Sequence, residues 1–211
     1  MATAGLRERK KQQTRQEIFE ASQRLFAKHG FEAVTVAAIA RAADVSAMTV
    51  FNYFPTKEDL FYAGMQFFEE RLVQAVRDRT HGESALKAFR RRVLEGAENL
   101  AVKQRIDAIL TAGRAMASSP SLRAREREIV DEFTRGLAEV LAEETRSSPD
   151  DVEPLLAAAI LMAAHRALVA HTRARVAAGR RGAELVEDFR KQGRRAFGRL
   201  ERGLGDYAIR A

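Results

Sequence analysis

The most restrictive property of this chain is a helical pattern that almost nothing interrupts. Proline occurs at only four of 211 positions: 55, 120, 149 and 154. No stretch alternates apolar and polar residues between turn pairs such as Asn-Gly, as strands joined by hairpins would. Apolar residues instead recur three and four positions apart, which places them on one face of a helix. Ile18, Ala21, Ser22 and Leu25 form such a stripe, with Lys28 at the negative end of the helix dipole and Gly30 as the stop. The spacing predicts a helix over 12–29, two short helices between 35 and 54, and a long one over 56–76. Further helices are expected at 84–100 and 103–118, after Ser119-Pro120, after Ser148-Pro149, and from Gly182 to about Leu200. The expected fold is all-α with about nine helices: a three-helix N-terminal domain (1–55), a connecting helix (56–80) and a helical bundle (81–211).

Composition removes several kinds of chemistry. The chain has no cysteine, so disulfides, thiolate zinc sites and cysteine nucleophiles are excluded. His165 and His171 are six residues apart, which turns them to different sides of a helix and makes a shared metal unexpected. Neither Glu-x-x-His nor His-Glu-x-x-His nor a Gly-rich phosphate loop occurs. The expectation is a protein that is no enzyme and holds no cofactor or metal, against the alternative of an all-α enzyme or haem sensor. Residues 1–6 lack the apolar core of a signal peptide. The longest apolar run, 155–164, is half of the ~20 residues that span a bilayer. A cytoplasmic location follows as an expectation. The 36 Lys and Arg against 29 Asp and Glu leave a net charge of +7, which favours acidic partners.

Residues 35–53 carry the most specific signal. Thr35 can cap a short helix whose inward residues are Val36, Ile39 and Ala40, and Ala40 is small enough for a second helix to cross closely. Ala43-Asp44 suits a tight turn, because Asp tolerates the left-handed backbone better than most residues. Val45 plugs the angle between the helices. Ser46 caps the second helix, with Val50 and Phe54 inward and Ala47, Met48, Thr49 and Asn52 outward. Such a pair is a helix-turn-helix, whose second helix can enter a major groove. A compact helical hairpin would explain the pattern too. The small, mostly uncharged outward face argues for base edges instead, as do the cations nearby: Arg7, Arg9, Lys10, Lys11, Arg15 and Lys57.

Together with Thr14-Arg15, Leu25-Phe26-Ala27, Gly30-Phe31, Thr49-Val50-Phe51-Asn52-Tyr53-Phe54 and Lys57-Glu58-Asp59-Leu60, these residues make the segment from Lys11 to Leu72 resemble the DNA-binding domain of the TetR family. The resemblance implies an all-α homodimer with an N-terminal helix-turn-helix domain and a larger C-terminal domain that binds a small molecule and dimerises through its last two helices. It implies phosphate contacts from Thr35, Tyr53 and Lys57, and Ser46, the cap of the reading helix, is expected to be a DNA contact as well. Base or groove contacts are implied for Ala47, Met48, Thr49 and Asn52; Asn52 suits adenine, and the other three suit thymine methyls. Asp44 departs from the glycine, and Phe51 from the tyrosine, that many relatives carry at those positions.

The expected function is a dimeric repressor that a small, largely apolar ligand releases from a palindromic or near-palindromic DNA operator. The same build working without an inducer, or as an activator, is the alternative. Candidate ligand contacts are Phe67, Phe68, Phe89, Ile109, Met116, Phe133, Met162 and His165, although each would equally serve as plain core. The Arg runs at 90–92, 123–127, 180–181 and 194–195 are expected to be solvated faces paired with Glu. The apolar helix of 155–170, with the Gly193/Ala196/Leu200 stripe, is expected to form a seam with a second copy.

Overall fold

A computed structural model describes residues 2–204 and 206–209. Among these residues the chain forms α1 (Ala2–His29), α2 (Val36–Ala42), α3 (Ala47–Tyr53), α4 (Lys57–Arg77) and α5 (Ala85–Glu95). A 3-10 turn (Gly96–Ala101) follows, then α6 (Lys103–Ser118), α7 (Pro120–Thr145), α8 (Glu153–Ala177) and α9 (Gly182–Leu204). Extended pairing among the described residues is limited to an isolated antiparallel bridge between Ser84 and Ile209.

Three boundaries differ from the spacing-based expectation, each for a local reason. The first helix begins ten residues early, at Ala2 rather than near 12. Its added turns have no apolar stripe to reveal them. Polar pairs one turn apart hold them instead, such as Arg9 Nε to Gly5 O at 3.1 Å and Gln12 to Glu8 at 3.0 Å. The expected 84–100 helix divides at Gly96, beyond which the chain tightens into the 3-10 turn. The helix expected after Ser148-Pro149 begins at Glu153, with Pro154 in its first turn. Had it started at Pro149, Pro154 would fall in the helix interior, where it donates no hydrogen bond and its ring clashes with the carbonyl four residues back. Asp151 accepts a hydrogen bond from the Glu153 amide at 2.9 Å and marks the actual start.

Two compact units make up the chain: Met1–Met65 with Thr111–Glu126, and Gln66–Leu110 with Arg127–Ala211. In the first, Ile18, Phe26, Phe31, Ile39, Val50, Phe54 and Leu60 are buried. Phe26, Phe31 and Phe61 meet at ring-centroid distances of 5.3–5.9 Å. Gly30, at φ +79, lets the chain reverse so that Phe31 folds onto the end of α1. Tyr62 donates to the Leu122 carbonyl at 3.0 Å, and Arg125 reaches Asp59 at 2.8 Å.

The second unit is a bundle with one apolar core, including Leu72, Leu86, Phe89, Leu137, Leu141, Leu161, Leu168 and Phe197. Arg79 is completely buried at one end of it. Its guanidinium donates to the carbonyls of Glu83 (2.9 Å), Val76 (2.5 Å) and Ala208 (2.6 Å), and it pairs with Glu144. By length and composition, α8 qualifies to cross a membrane, which its ten-residue apolar run did not suggest. Its buried line of Pro154, Ala157, Ala158, Leu161, Met162, His165 and Leu168 lies in the bundle core. Leu155 and Leu156 remain on the outside, each about half exposed.

The small stripe on α9 does a different job from the one expected of it. Gly193 is buried within the protomer, where an added Cβ would lie 2.6 Å from Leu94 Cδ2 and 3.3 Å from Leu168 Cδ2. Glycine therefore lets α9 approach its own neighbours, so Gly193 packs within the protomer rather than across the expected seam with a second copy. Leu200 packs against the same core.

Candidate nucleic-acid interface

The helix-turn-helix is built from caps outward. Thr35 Oγ1 accepts from the Ala38 amide at 3.2 Å and starts α2. At the other end the Val45 amide donates to Ala40 O at 3.0 Å, and Asp44 holds the left-handed conformation at φ +53. This is a strained turn position at which, glycine aside, a short polar side chain costs least. Ser46 Oγ accepts from the Thr49 amide at 3.0 Å and starts α3. Val50 and Phe54 are buried beneath α3, and Arg15 lies over the Phe54 ring at 5.6 Å.

Fixing the inward residues leaves an outward face of Ala47, Met48, Phe51 and Asn52, all exposed, with Met48 at 69%. Leaving an apolar side chain that open is costly unless another surface covers it. Thr49 is half-buried, and its hydroxyl pairs with Ser46 Oγ at 2.8 Å. Of the expected DNA contacts, Ala47, Met48 and Asn52 thus share one open face, whereas Ser46 and Thr49 are already bonded to each other. Tyr53 is half-buried at the end of α3. Lys57 donates to Phe31 O at 3.1 Å and sits 4.2 Å over the Phe31 ring. Its ammonium is tethered to the loop before α2, so a phosphate there would meet a cation already fixed in place. The start of α4 is held by a reciprocal pair: the Thr56 amide and hydroxyl both donate to Asp59, and Thr56 Oγ1 accepts from the Asp59 amide. Phe51 was not among the expected contacts, and its exposed ring belongs on the same face.

The expected ligand contacts separate into groups. Phe68, Phe89 and His165 come together in the second unit: the imidazole stacks on Phe68 at 5.6 Å and meets the Phe89 edge at 6.3 Å. Met162, one turn before His165 on α8, is buried in the same core, and Ile109 and Phe133 pack against that core. Phe67 points outward, 53% exposed, under the Arg71 guanidinium. Met116 belongs to the first unit. That unit also has an open cleft of about 390 Å³, lined by Phe26, Phe31, Phe61, Arg114 and others, and no expected ligand contact lines it.

His165 is 6% exposed, its Nδ1 has no hydrogen-bond partner, and burial with Arg173 nearby holds its pKa down at about 4. It is a neutral imidazole at ordinary pH. Arg92 lies over the Phe68 ring at 5.2 Å, and this neighbour was hidden in the sequence because it sits on a different helix. Among the described residues no group of three or more His, Asp or Glu could hold a metal. His171 instead pairs with Asp188 at 2.7 Å, which together with Arg175 keeps that carboxyl below its ordinary range. The Arg runs are mostly paired at the surface, as in Arg90 with Glu201 and Arg91 with Glu83.

Comparison with known proteins matches two segments of the chain. Residues 18–63 match the family described as bacterial regulatory proteins, tetR family. Residues 83–204, more than half of the chain, match the MftR C-terminal domain. The chain is 29% identical to the HTH-type transcriptional regulator TcmR of Streptomyces glaucescens over 167 residues, covering 77% of this chain and 74% of TcmR. It is 30% identical to the HTH-type transcriptional repressor AcnR of Corynebacterium efficiens over 128 residues, covering 58% of this chain and 62% of AcnR. Among solved structures, the SmeT–triclosan complex has the same fold, with a TM-score of 0.57 at 16% identity and 90% of each chain covered. With a capped helix-turn-helix in the first matched segment and a helical C-terminal segment in the second, this chain belongs to the TetR family, DNA-binding transcriptional regulators rather than enzymes.

Proposed function

We propose that the protein is a cytoplasmic, dimeric repressor that reads a two-fold-related DNA operator with α3 and releases it when a small, largely apolar ligand enters the second unit. The observation that carries this reading is the open face of Ala47, Met48 and Asn52, held outward by the Ser46 cap and the Val50–Phe54 anchor. Asn52 suits an adenine edge, and Ala47 and Met48 suit thymine methyls. Thr35, Tyr53, Lys57 and the exposed cations of α1 supply phosphate contacts. The working division is a reading head of 1–55, a connecting helix of 56–80 and a control domain of 81–211.

A second copy meets the first through the outer face of α8, where Leu155 and Leu156 are half exposed and Ala159 and Ala163 allow close approach. A two-fold protein of this kind reads two half-sites about one helical turn of DNA apart. Ligand releases the operator only by its differential affinity for two arrangements of the reading heads. The close packing of Phe68, Phe89 and His165 favours a second reading, the same architecture acting without an inducer. The unpartnered Nδ1 of His165 favours the first.

Fluorescence anisotropy with DNA from upstream of the protein's own gene tests the assignment. Lys57→Gln should weaken binding to all sequences alike and reduce the salt slope by about one, whereas Asn52→Ala should cost about 1–3 kcal/mol and relax the preference at one base pair. If both variants bind as wild type does, α3 is not the reading helix.

A further inference from the structure

In the second unit one aromatic side chain occupies what has the chemistry of a ligand seat. Phe68, on α4, is half-buried. Its ring stacks on His165 at 5.6 Å with an interplanar angle of 27°, and the Arg92 guanidinium lies over it at 5.2 Å. Its edge rests 3.5 Å from the position a Cβ on Gly96 would take, so glycine there leaves room for a ring. A flat imidazole and a planar cation are the two partners that a π-face prefers. The seat also has an unused polar atom, since buried His165 Nδ1 has no hydrogen-bond partner. Native interiors seldom leave such an atom unsatisfied, and doing so costs stability.

We propose that the effector is a flat aromatic molecule bearing a hydroxyl, a phenol, which takes the place of the Phe68 ring against His165 and Arg92 and hydrogen-bonds His165 Nδ1. This rests on the ligand-release reading above and specifies the chemistry of that site. The hydroxyl follows from the state of the histidine. A neutral imidazole carries one N–H and one lone pair, and a hydroxyl both donates and accepts, so it satisfies Nδ1 in either tautomer. A carboxylate can only accept and an ammonium can only donate. An ammonium would also meet the positive charge of Arg173, which adds to the burial that keeps His165 neutral. The aromatic body follows from the partners it inherits. Because Phe68 belongs to α4, displacing its ring acts directly on the helix that begins at Lys57, immediately after the reading head.

Titration calorimetry on the full chain with 2-naphthol and 2-methylnaphthalene tests this. The hydrocarbon has the same ring and neither donates nor accepts a hydrogen bond. Wild type should bind 2-naphthol about tenfold more tightly, the value of one hydrogen bond. Phe68→Ala opens the seat and should tighten both ligands about tenfold while keeping the ratio between them. His165→Leu, an apolar replacement that removes the unsatisfied atom, should fold and bind both ligands equally. Equal affinities in wild type overturn the proposal, as does a preference that survives His165→Leu or a failure of both wild type and Phe68→Ala to bind. Operator release is read separately. Naphthol binding that leaves the operator complex intact supports this seat and removes the ligand-release reading. Release by a compound that does not compete with 2-naphthol overturns this seat and leaves that reading standing.

Discussion

The two units are both helical, yet different kinds of interaction dominate within them. In the first unit, α2 and α3 have seven residues each, too short to persist as isolated helices. Their geometry depends on contacts three or four residues apart: Thr35 to Ala38, Ser46 to Thr49, Thr56 to Asp59, and Asp44 in the left-handed turn. In the second unit the decisive contacts join residues far apart in the chain. Arg79 reaches Glu144 and Ala208, Gly193 makes room for Leu94 and Leu168, and Phe68 stacks on His165. Local caps each contribute about 1 kcal/mol and are individually replaceable. Buried nonlocal polar groups matter several times more, because removing one partner leaves the rest desolvated.

That contrast predicts an ordering of effects, and single substitutions can break it. Arg79→Met should be the most damaging. It leaves Glu144 and three carbonyls without their donor, and a loss of about 3–5 kcal/mol in urea unfolding is expected. A loss no larger than that of a helix cap would erase the distinction between the two regions.

Acid should come next, through His165. Its folded pKa of about 4 lies below the ordinary 6.5, so the fold favours the neutral form. The stability this provides is complete above pH 6.5 and is lost as pH falls towards 4, about 3 kcal/mol over that window. Unfolding curves at pH 7 and pH 4 should show the decline in wild type, and His165→Leu should remove this component.

In the first unit the expected changes are smaller. Ser46→Ala removes the cap of α3 and should cost about 1 kcal/mol, with a matching loss of operator affinity because α3 is no longer fixed at its start. Smallest of all is Asp44→Gly. Glycine accepts φ +53 without steric cost, so thermal stability should rise by less than the ~1 kcal/mol that an ordinary side chain pays there. Removing that carboxylate should also tighten DNA binding at low salt. A destabilised Asp44→Gly would mean that the aspartate side chain does more in the turn than tolerate it.

The same contrast explains what was legible. The caps, the turn at Asp44 and the inward pair of Val50 and Phe54 could be placed from spacing alone, because each bond closes within one helical turn. The added turns of α1 escaped notice because polar pairs rather than an apolar stripe hold them. The start of α8 was misplaced because two prolines offered competing first turns, and only one position keeps Pro154 out of a helix interior. The role of Gly193 was misread because a small residue permits close approach without naming what approaches.

By itself, then, the sequence determined an all-α chain and a helix-turn-helix with its outward residues, since helical period and capping are local properties of the polymer. Tertiary structure alone decided that Arg79 would tie down the chain end at Ala208 and that α9 would turn its glycine inward. It also brought His165, Phe68 and Arg92 from three different helices to one seat. The reason is physical. A residue's position on its own helix follows from 3.6 residues per turn, whereas the neighbour it meets depends on how whole helices pack, and that is set by the summed burial of many side chains rather than by any one of them.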